Sequence, residues 1–156
     1  MPRDPQVTSR IMSAVRAKNT KPEVVLRKAL WRLGLRYRLH LALEGRPDIA
    51  FVSAKVAVFV DGDFWHGNAW RVRGMKSFDE QFERINNKDF WRKKITRNME
   101  RDARVTESLT EKGWTVYRVF ESRLKDDFPS VVSEIVGLVR RSNSLNAHEP
   151  SAQGNK

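Results

Sequence analysis

Between Thr20 and Gly34 the chain reads as a helix: "TKPEVVLRKALWRLG" opens with the capping pair Thr20 and Glu23 and stops at a glycine. A shorter helix precedes it in "VTSRIMSAVRAK", with Ile11, Ala14 and Val15 on one side. The period then changes. In "RYRLHLAL" polar and apolar residues alternate, which places Tyr37, Leu39 and Leu41 on one face of a strand. "DIAFVS" and "KVAVFVD" are rich in β-branched and apolar residues, the pattern of strands covered on both faces. No clean period runs from 66 to 87, which reads as a polar loop. From Lys88 to Lys112 the period is helical again. Trp91, Ile95, Asn98, Asp102, Val105 and Leu109 recur at alternating steps of four and three and share one stripe, ended by Gly113. "WTVYRVF" predicts a fourth strand, and "FPSVVSEIVGLVRR" a last helix with Pro129 in its first turn. After the leading helix the order is α, β, β, β, α, β, α: one α/β domain over residues 1–140. The ending "RRSNSLNAHEPSAQGNK" is polar and rich in Ser and Asn, so 141–156 is expected to be a disordered tail.

Charge narrows what such a domain is for. Among 156 residues, 30 Lys and Arg stand against 19 Asp and Glu, a net charge of +11. Ten of the basic residues fall in the first forty, against only Asp4 and Glu23, which marks 1–19 as a basic arm. Such an excess points to a polyanionic partner, and nucleic acid is the usual one, because Lys and Arg gain affinity by releasing phosphate counterions. A merely soluble basic protein is the alternative. With no cysteine, disulfides, thiol redox chemistry and thiolate metal sites are excluded. No apolar run reaches the ~18 residues of a membrane span, and "MPRDPQVTSR" lacks a signal peptide's apolar segment, so a cytoplasmic location is expected.

Several polar positions do not fit the apolar pattern. Asn98 and Asp102 interrupt the stripe of the long helix, where an ionised carboxylate is costly without a partner. Asp102 is either a rim residue bonded to an Arg or part of a polar site beside the strands. Asp48 opens one buried strand and Asp61 closes its neighbour, so an antiparallel hairpin brings both to one edge. Each alone is an ordinary turn acid. Together they would repel unless a cation lay between them, and Mg²⁺ bridges carboxylates to phosphates. His66 follows Asp61 by five residues. It is structural, or it is oriented by Asp102 and moves a proton near neutral pH. Phe64 and Trp65 are adjacent and cannot easily both face a core; an exposed one would stack on bases or enter a base step. Trp91 is a second aromatic of this kind, although its place on the stripe favours packing.

"GRPDIAF", "VFVDGDFWHG", "FWRKKITRNMERD" and "GWTVYRVFES", in this order between Thr8 and Leu124, resemble the very-short-patch repair (Vsr) endonucleases. These are mismatch-nicking relatives of the restriction-endonuclease fold. The resemblance implies an αβββαβ core with a mixed central sheet flanked by helices. It implies an enzyme that nicks one strand of duplex DNA 5′ to the thymine of a T:G mismatch, with Mg²⁺ as cofactor and Mn²⁺ able to substitute. It also implies a monomer, with mismatch-repair proteins as candidate further partners and no membrane. Under it Asp48 is the central metal ligand and the backbone carbonyl of Val60 a second; His66 is the catalytic histidine and Asp102 the acid paired with it. Asp61 stands where relatives carry His or Asp, and would add a metal ligand or position water. Glu23 matches an acid near the active site, while its capping-box role is an equally good reading. Phe64, Trp65 and Trp91 match aromatics that wedge into DNA beside the mismatch, Met12 matches a residue inserted from the other groove, and Arg10 and Arg16 lie in the basic arm. A nuclease of the same fold acting on another lesion, a modified base or a restriction site is the alternative, as is a DNA-binding relative without the chemistry.

One departure is clear. The family commonly holds a structural zinc with Cys and His around the "FWH" turn and after the last core strand. The matching positions here are Asp63, Asn68, Trp70 and Ser122, none a thiolate or imidazole, so no structural zinc is expected. Packing, with Trp70 as a candidate, is expected to steady the turn.

Overall fold

The computed structural model describes residues 21–148. The leading helix read over 7–18, the capping Thr20, Met12, Arg10, Arg16 and the last residues of the chain lie outside the described residues. Helix α1 spans Lys21–Arg32 and buries Glu23, Leu26 and Leu30, one face at helical spacing. It closes at Gly34, whose φ of +89° suits glycine, with the Leu35 N–H returning to the Leu30 carbonyl at 3.1 Å.

Four strands follow in one sheet: β1 (Arg38–Leu39), β2 (Ile49–Phe51), β3 (Val56–Asp61) and β4 (Thr115–Phe120), in spatial order β1-β2-β3-β4. The first two pairings are antiparallel, and β3 and β4 are parallel. A parallel neighbour needs a crossover, supplied by the long helix between them. β3 is covered on both faces, as its composition predicts. Val56 and Val58 join the core under α1, with Val60 packed against it, while Ala57 and Phe59 pack with Val105 and Leu109 of the long helix. The mixed sheet with flanking helices is the restriction-endonuclease-like core expected from the sequence.

Four local expectations are corrected. The strand read over "RYRLHLAL" is only two residues long, because His40 takes a left-handed conformation (φ +48°) that leaves the ladder. The loop after residue 66 contains a short helix α2 (Ala69–Val72) and a 3₁₀ turn (Asp79–Phe82) that buries Gln81 and Phe82; both are too short to produce a readable period. The long helix α3 covers Lys88–Glu111 as expected, and β4 runs straight into an unanticipated helix α4 (Glu121–Asp126). Finally, α5 spans Phe128–His148, so 141–148 are helical rather than part of a disordered tail. Polar composition there marks a solvated helical extension instead of an end to the helix.

Candidate active site

The hairpin register brings the acids together. Ile49 pairs with Val58, so Asp48 falls beside the later half of β3, and the Val60 N–H donates to Asp48 Oδ2 at 2.7 Å. Asp61 ends β3 on the face turned to α3. Two glycines let the acid-bearing turns approach that helix. At Gly45 a Cβ would stand 2.4 Å from Val105 Cγ1, and at Gly67 one would stand 2.3 Å from Met99 Sδ; both glycines have positive φ. The result is a cleft of about 470 Å³ lined by Glu23, Asp48, Asp61, His66, Asn98, Asp102 and Arg118, among others.

On one side of the cleft, His66 Nδ1 is hydrogen-bonded to Asp102 Oδ2. With Nδ1 protonated and donating, Nε2 keeps its lone pair toward the cleft, 3.7 Å from Asp61 Oδ1. Arg118 closes this group. Its Nη1 donates to both Asp61 oxygens at 3.2 Å and lies 3.6 Å from Asp102 Oδ1, Nε donates to Thr106 Oγ1 at 2.8 Å, and the guanidinium covers the Phe59 ring. Burial is the largest influence on the Asp61 carboxyl and raises its pKa, with His66 and Arg118 opposing. The sequence pattern did not single out Arg118. A charged residue on an inward position of β4, opposite Phe59, was the available signal.

On the other side, Glu23, His40 and Asp48 offer ligand atoms all within 4.8 Å of one another, as do Asp61, His66 and Asp102. By pattern alone His40 is an ordinary strand residue; its left-handed backbone turns the imidazole to Glu23, with Nε2 3.5 Å from Oε1. Glu23 is buried within this group, and Arg27 lies 3.8 Å from it. Burial pushes the Asp48 carboxyl up to about 6, helped by the charges of Glu23 and Asp61 and opposed by the Val60 N–H and His40. Buried carboxylate oxygens under mutual repulsion are a donor set that fits a hard divalent ion.

The aromatics separate. Trp65 is 5 % exposed and packs with Phe82 and Ile95, so the core reading holds for it and a wedge role does not fit its placement. Phe64 and Trp91 are half-buried around it in edge-to-face contacts, and Phe90, next to Trp91, is 59 % exposed. Asn98, buried on α3, donates to the Trp65 carbonyl at 3.1 Å. Beside the cleft, α3 presents Lys93, Lys94, Arg97, Arg101 and Arg104 around a groove with Phe90 and a single acid, Glu100. The basic excess read in the first forty residues therefore continues on this helix, where periodicity draws attention to the buried stripe and away from the cationic face.

Of the four positions matched to zinc ligands, Asn68 and Ser122 converge as hydrogen-bond donors on the Asp63 carboxylate, and Trp70 does not join them. Asp63 Oδ1 accepts from Ser122 Oγ at 2.6 Å and Asn68 Nδ2 at 2.9 Å, Asp63 Oδ2 accepts from the Ser122 N–H at 3.1 Å, and the Trp70 indole N–H is spent on the Gly67 carbonyl at 3.1 Å. A tetrahedral zinc needs four lone pairs, and these residues do not fit it.

A mixed four-stranded sheet whose central strand ends deliver carboxylates to a histidine-bearing cleft, flanked by a basic helix, defines a DNA endonuclease of the restriction-endonuclease-like class. Residues 3–72 match the DNA mismatch endonuclease Vsr family profile. Over 142 residues the chain is 39 % identical to the type II nicking enzyme V.NmeDIP of Neisseria meningitidis serogroup C, covering 90 % of this chain and 91 % of that one. It is 45 % identical over 102 residues to the type II nicking enzyme V.HpaIIP of Haemophilus parainfluenzae, covering 65 % of this chain and 67 % of that one. Over 126 residues it is 32 % identical to the DNA mismatch endonuclease Vsr of Escherichia coli K12, covering 78 % of this chain and 74 % of that one. The chain belongs to the Vsr family.

Proposed function

We infer that this protein is a Mg²⁺-dependent endonuclease that nicks one strand of duplex DNA 5′ to the thymine of a T:G mismatch, the product of 5-methylcytosine deamination. The observation that carries this reading is the meeting of Asp48, His66 and Asp102 in one cleft next to a cationic helix. Asp48, the Val60 carbonyl and, with it, Glu23 or Asp61 would hold the metal. When bound, Mg²⁺ supplies positive charge to the scissile phosphate and the leaving oxygen. His66 Nε2 takes a proton from the attacking water as its oxygen bonds to phosphorus and the bond to the leaving oxygen breaks. Asp102 fixes the tautomer and orientation of the imidazole and stabilises the imidazolium that forms. Arg118 holds Asp61 and Asp102 apart at defined positions and offsets their charge. In this reading Phe64, Trp91 and the exposed Phe90 meet unstacked bases, and the cationic face of α3 follows the phosphates.

The work of such an enzyme is on chromosomal DNA, which puts it in the cytoplasm; among the described residues no helix is long and apolar enough to cross a membrane. The test is a labelled T:G duplex against its T:A control, with Mg²⁺ and with chelator. Nicking of the mismatched duplex alone is expected. Equal cutting of both would favour the second reading, a nicking enzyme for another lesion or site, which the name type II nicking enzyme of several relatives keeps in view. Binding without cutting would leave a DNA-binding relative.

A further inference from the structure

We propose that Asp63 is a positioning residue: its carboxylate clasps the turn carrying His66 to the residues after β4, and this clasp does in this chain what a structural zinc does in a metal-bound relative. The turn leaves β3 at Gly62 and folds back on itself, with the His66 N–H on the Gly62 carbonyl at 3.1 Å and the Asn68 N–H on the Asp63 carbonyl at 2.7 Å. Those bonds shape the turn but do not place it. From the α3 side it is placed by Asn98, bonded to the Trp65 carbonyl, and by the close approach of Gly67 to Met99. Trp65 packs on Phe82 and the Trp70 backbone N–H donates to Gln81 Oε1 at 3.1 Å, but toward the residues after β4 the hydrogen-bonded attachment is Asp63. Three donors converge on its two oxygens, two of them from Ser122 in the first turn of α4, fifty-nine residues further along the chain.

A carboxylate can do this because it accepts on both oxygens at once and donates nothing, whereas the groups facing it are N–H and O–H donors. The same directionality is why zinc does not fit: the protons, not lone pairs, point inward. His66 sits between the two attachments. Freed from Asp63, the turn can pivot about its α3 contacts and carry the imidazole away from its place between Asp102 and Asp61. A misplacement of ~1 Å at a reacting group costs on the order of 10²-fold in rate.

The proposal rests on His66 being the proton-transfer group. Its test uses the full chain and steady-state nicking of the duplex that the wild type cleaves. Asp63→Asn keeps the shape but leaves two donors facing each other at Ser122; kcat is expected to fall about 30- to 100-fold with KM within about twofold. Ser122→Ala should fall about tenfold, Ser122→Thr should stay near wild type, and the double variant Asp63→Asn/Ser122→Ala should be no slower than Asp63→Asn alone, because both remove one clasp. Amide hydrogen exchange gives a readout independent of substrate: the Ser122 N–H should exchange faster in Asp63→Asn, while amides of β3 do not change. Elemental analysis of the wild type should find zinc well below one per chain, and added Zn²⁺ should leave its melting temperature unchanged. A wild type that cuts T:G and T:A alike sinks the mismatch reading and leaves this test intact. The clasp is overturned by one tightly held zinc per chain, or by an Asp63→Asn protein that melts earlier yet keeps its kcat. If Asp63→Asn does not fold, Ser122→Ala decides by the same kcat criterion.

Discussion

Two acid–histidine groups face one cleft and balance their charges differently. Around Asp61, His66 and Asp102, the Arg118 guanidinium lies within 3.2 Å of one carboxylate and 3.6 Å of the other. Around Asp48, burial is the largest influence, opposed by the Val60 N–H and His40 and reinforced by Glu23 and Asp61, and the carboxyl stands at about 6. In the first group burial still raises the Asp61 carboxyl, but the Arg118 guanidinium and His66 oppose it from within the chain, and an imidazole is held in a set orientation. The second has no guanidinium on its carboxylate, and burial disfavours the ionised form of Asp48, which is where an added cation gains most. Under the proposed function, this difference is the ground for expecting proton transfer on the Arg118 side and metal capture on the Asp48 side.

The largest expected effect that tests this division comes from Asp48→Ala. Nicking should fall by more than about 10³-fold while binding to the same duplex stays near wild type, measured by strand cleavage and by fluorescence anisotropy. An ordinary nicking rate would move the metal to the Asp61 side. His66→Ala should cost about 10²- to 10⁴-fold and Asp102→Asn about 10²-fold, the latter because an amide at that place no longer fixes the tautomer. Full activity in Asp102→Asn would return Asp102 to a structural role at the rim of the core.

Arg118→Lys should slow cleavage by roughly tenfold, since an ammonium cannot reach both Asp61 oxygens, Asp102 and Thr106 together. In the metal-free protein Asp48 should also leave a pH dependence. Between about pH 4 and pH 6, folded Asp48 holds a proton that the unfolded chain has released, so stability falls as pH rises through that window and is level above it. The Asp48 part of the fall should be on the order of 2–3 kcal/mol, the fall should be clearly smaller in Asp48→Asn, and Mg²⁺ should raise the melting temperature more at pH 7 than at pH 5. Equal pH curves for wild type and Asp48→Asn would show that Asp48 is not the uncompensated acid.

Smaller effects separate the aromatics and the basic helix. Trp65→Ala should cost about 3–5 kcal/mol in stability through the cavity it leaves. Phe64→Ala should stay folded and lose discrimination between T:G and T:A by several-fold. Replacing Arg97 or Arg104 by alanine should weaken binding to any duplex and reduce the salt slope by about one for each phosphate no longer neutralised. A Phe64→Ala enzyme that discriminates normally would remove the wedge from this turn.

Much of this molecule is determined by its sequence alone. Period two, period 3.6 and their punctuation yield the order of the core elements, because one-sided or two-sided burial dictates where apolar residues recur. The same logic exposes Asn98 and Asp102 as polar residues on a buried stripe, and the hairpin rule brings Asp48 to Asp61. Local motifs carry the family. What only the tertiary structure decides is which of several good partners each polar group takes. His40 joins Glu23 and Asp48 because a single left-handed residue ends β1, and Arg118 reaches Asp61 and Asp102 because β4 is parallel to β3 in one register. Trp65 turns inward and Phe64 less so because α3 and the 3₁₀ turn at Phe82 supply the wall, and Asp63 finds Ser122 across a separation no local pattern encodes. Hydrogen bonds and ion pairs are short-ranged and satisfied by whatever the fold brings near, so their partners are set by packing over long chain separations and not by spacing along the chain.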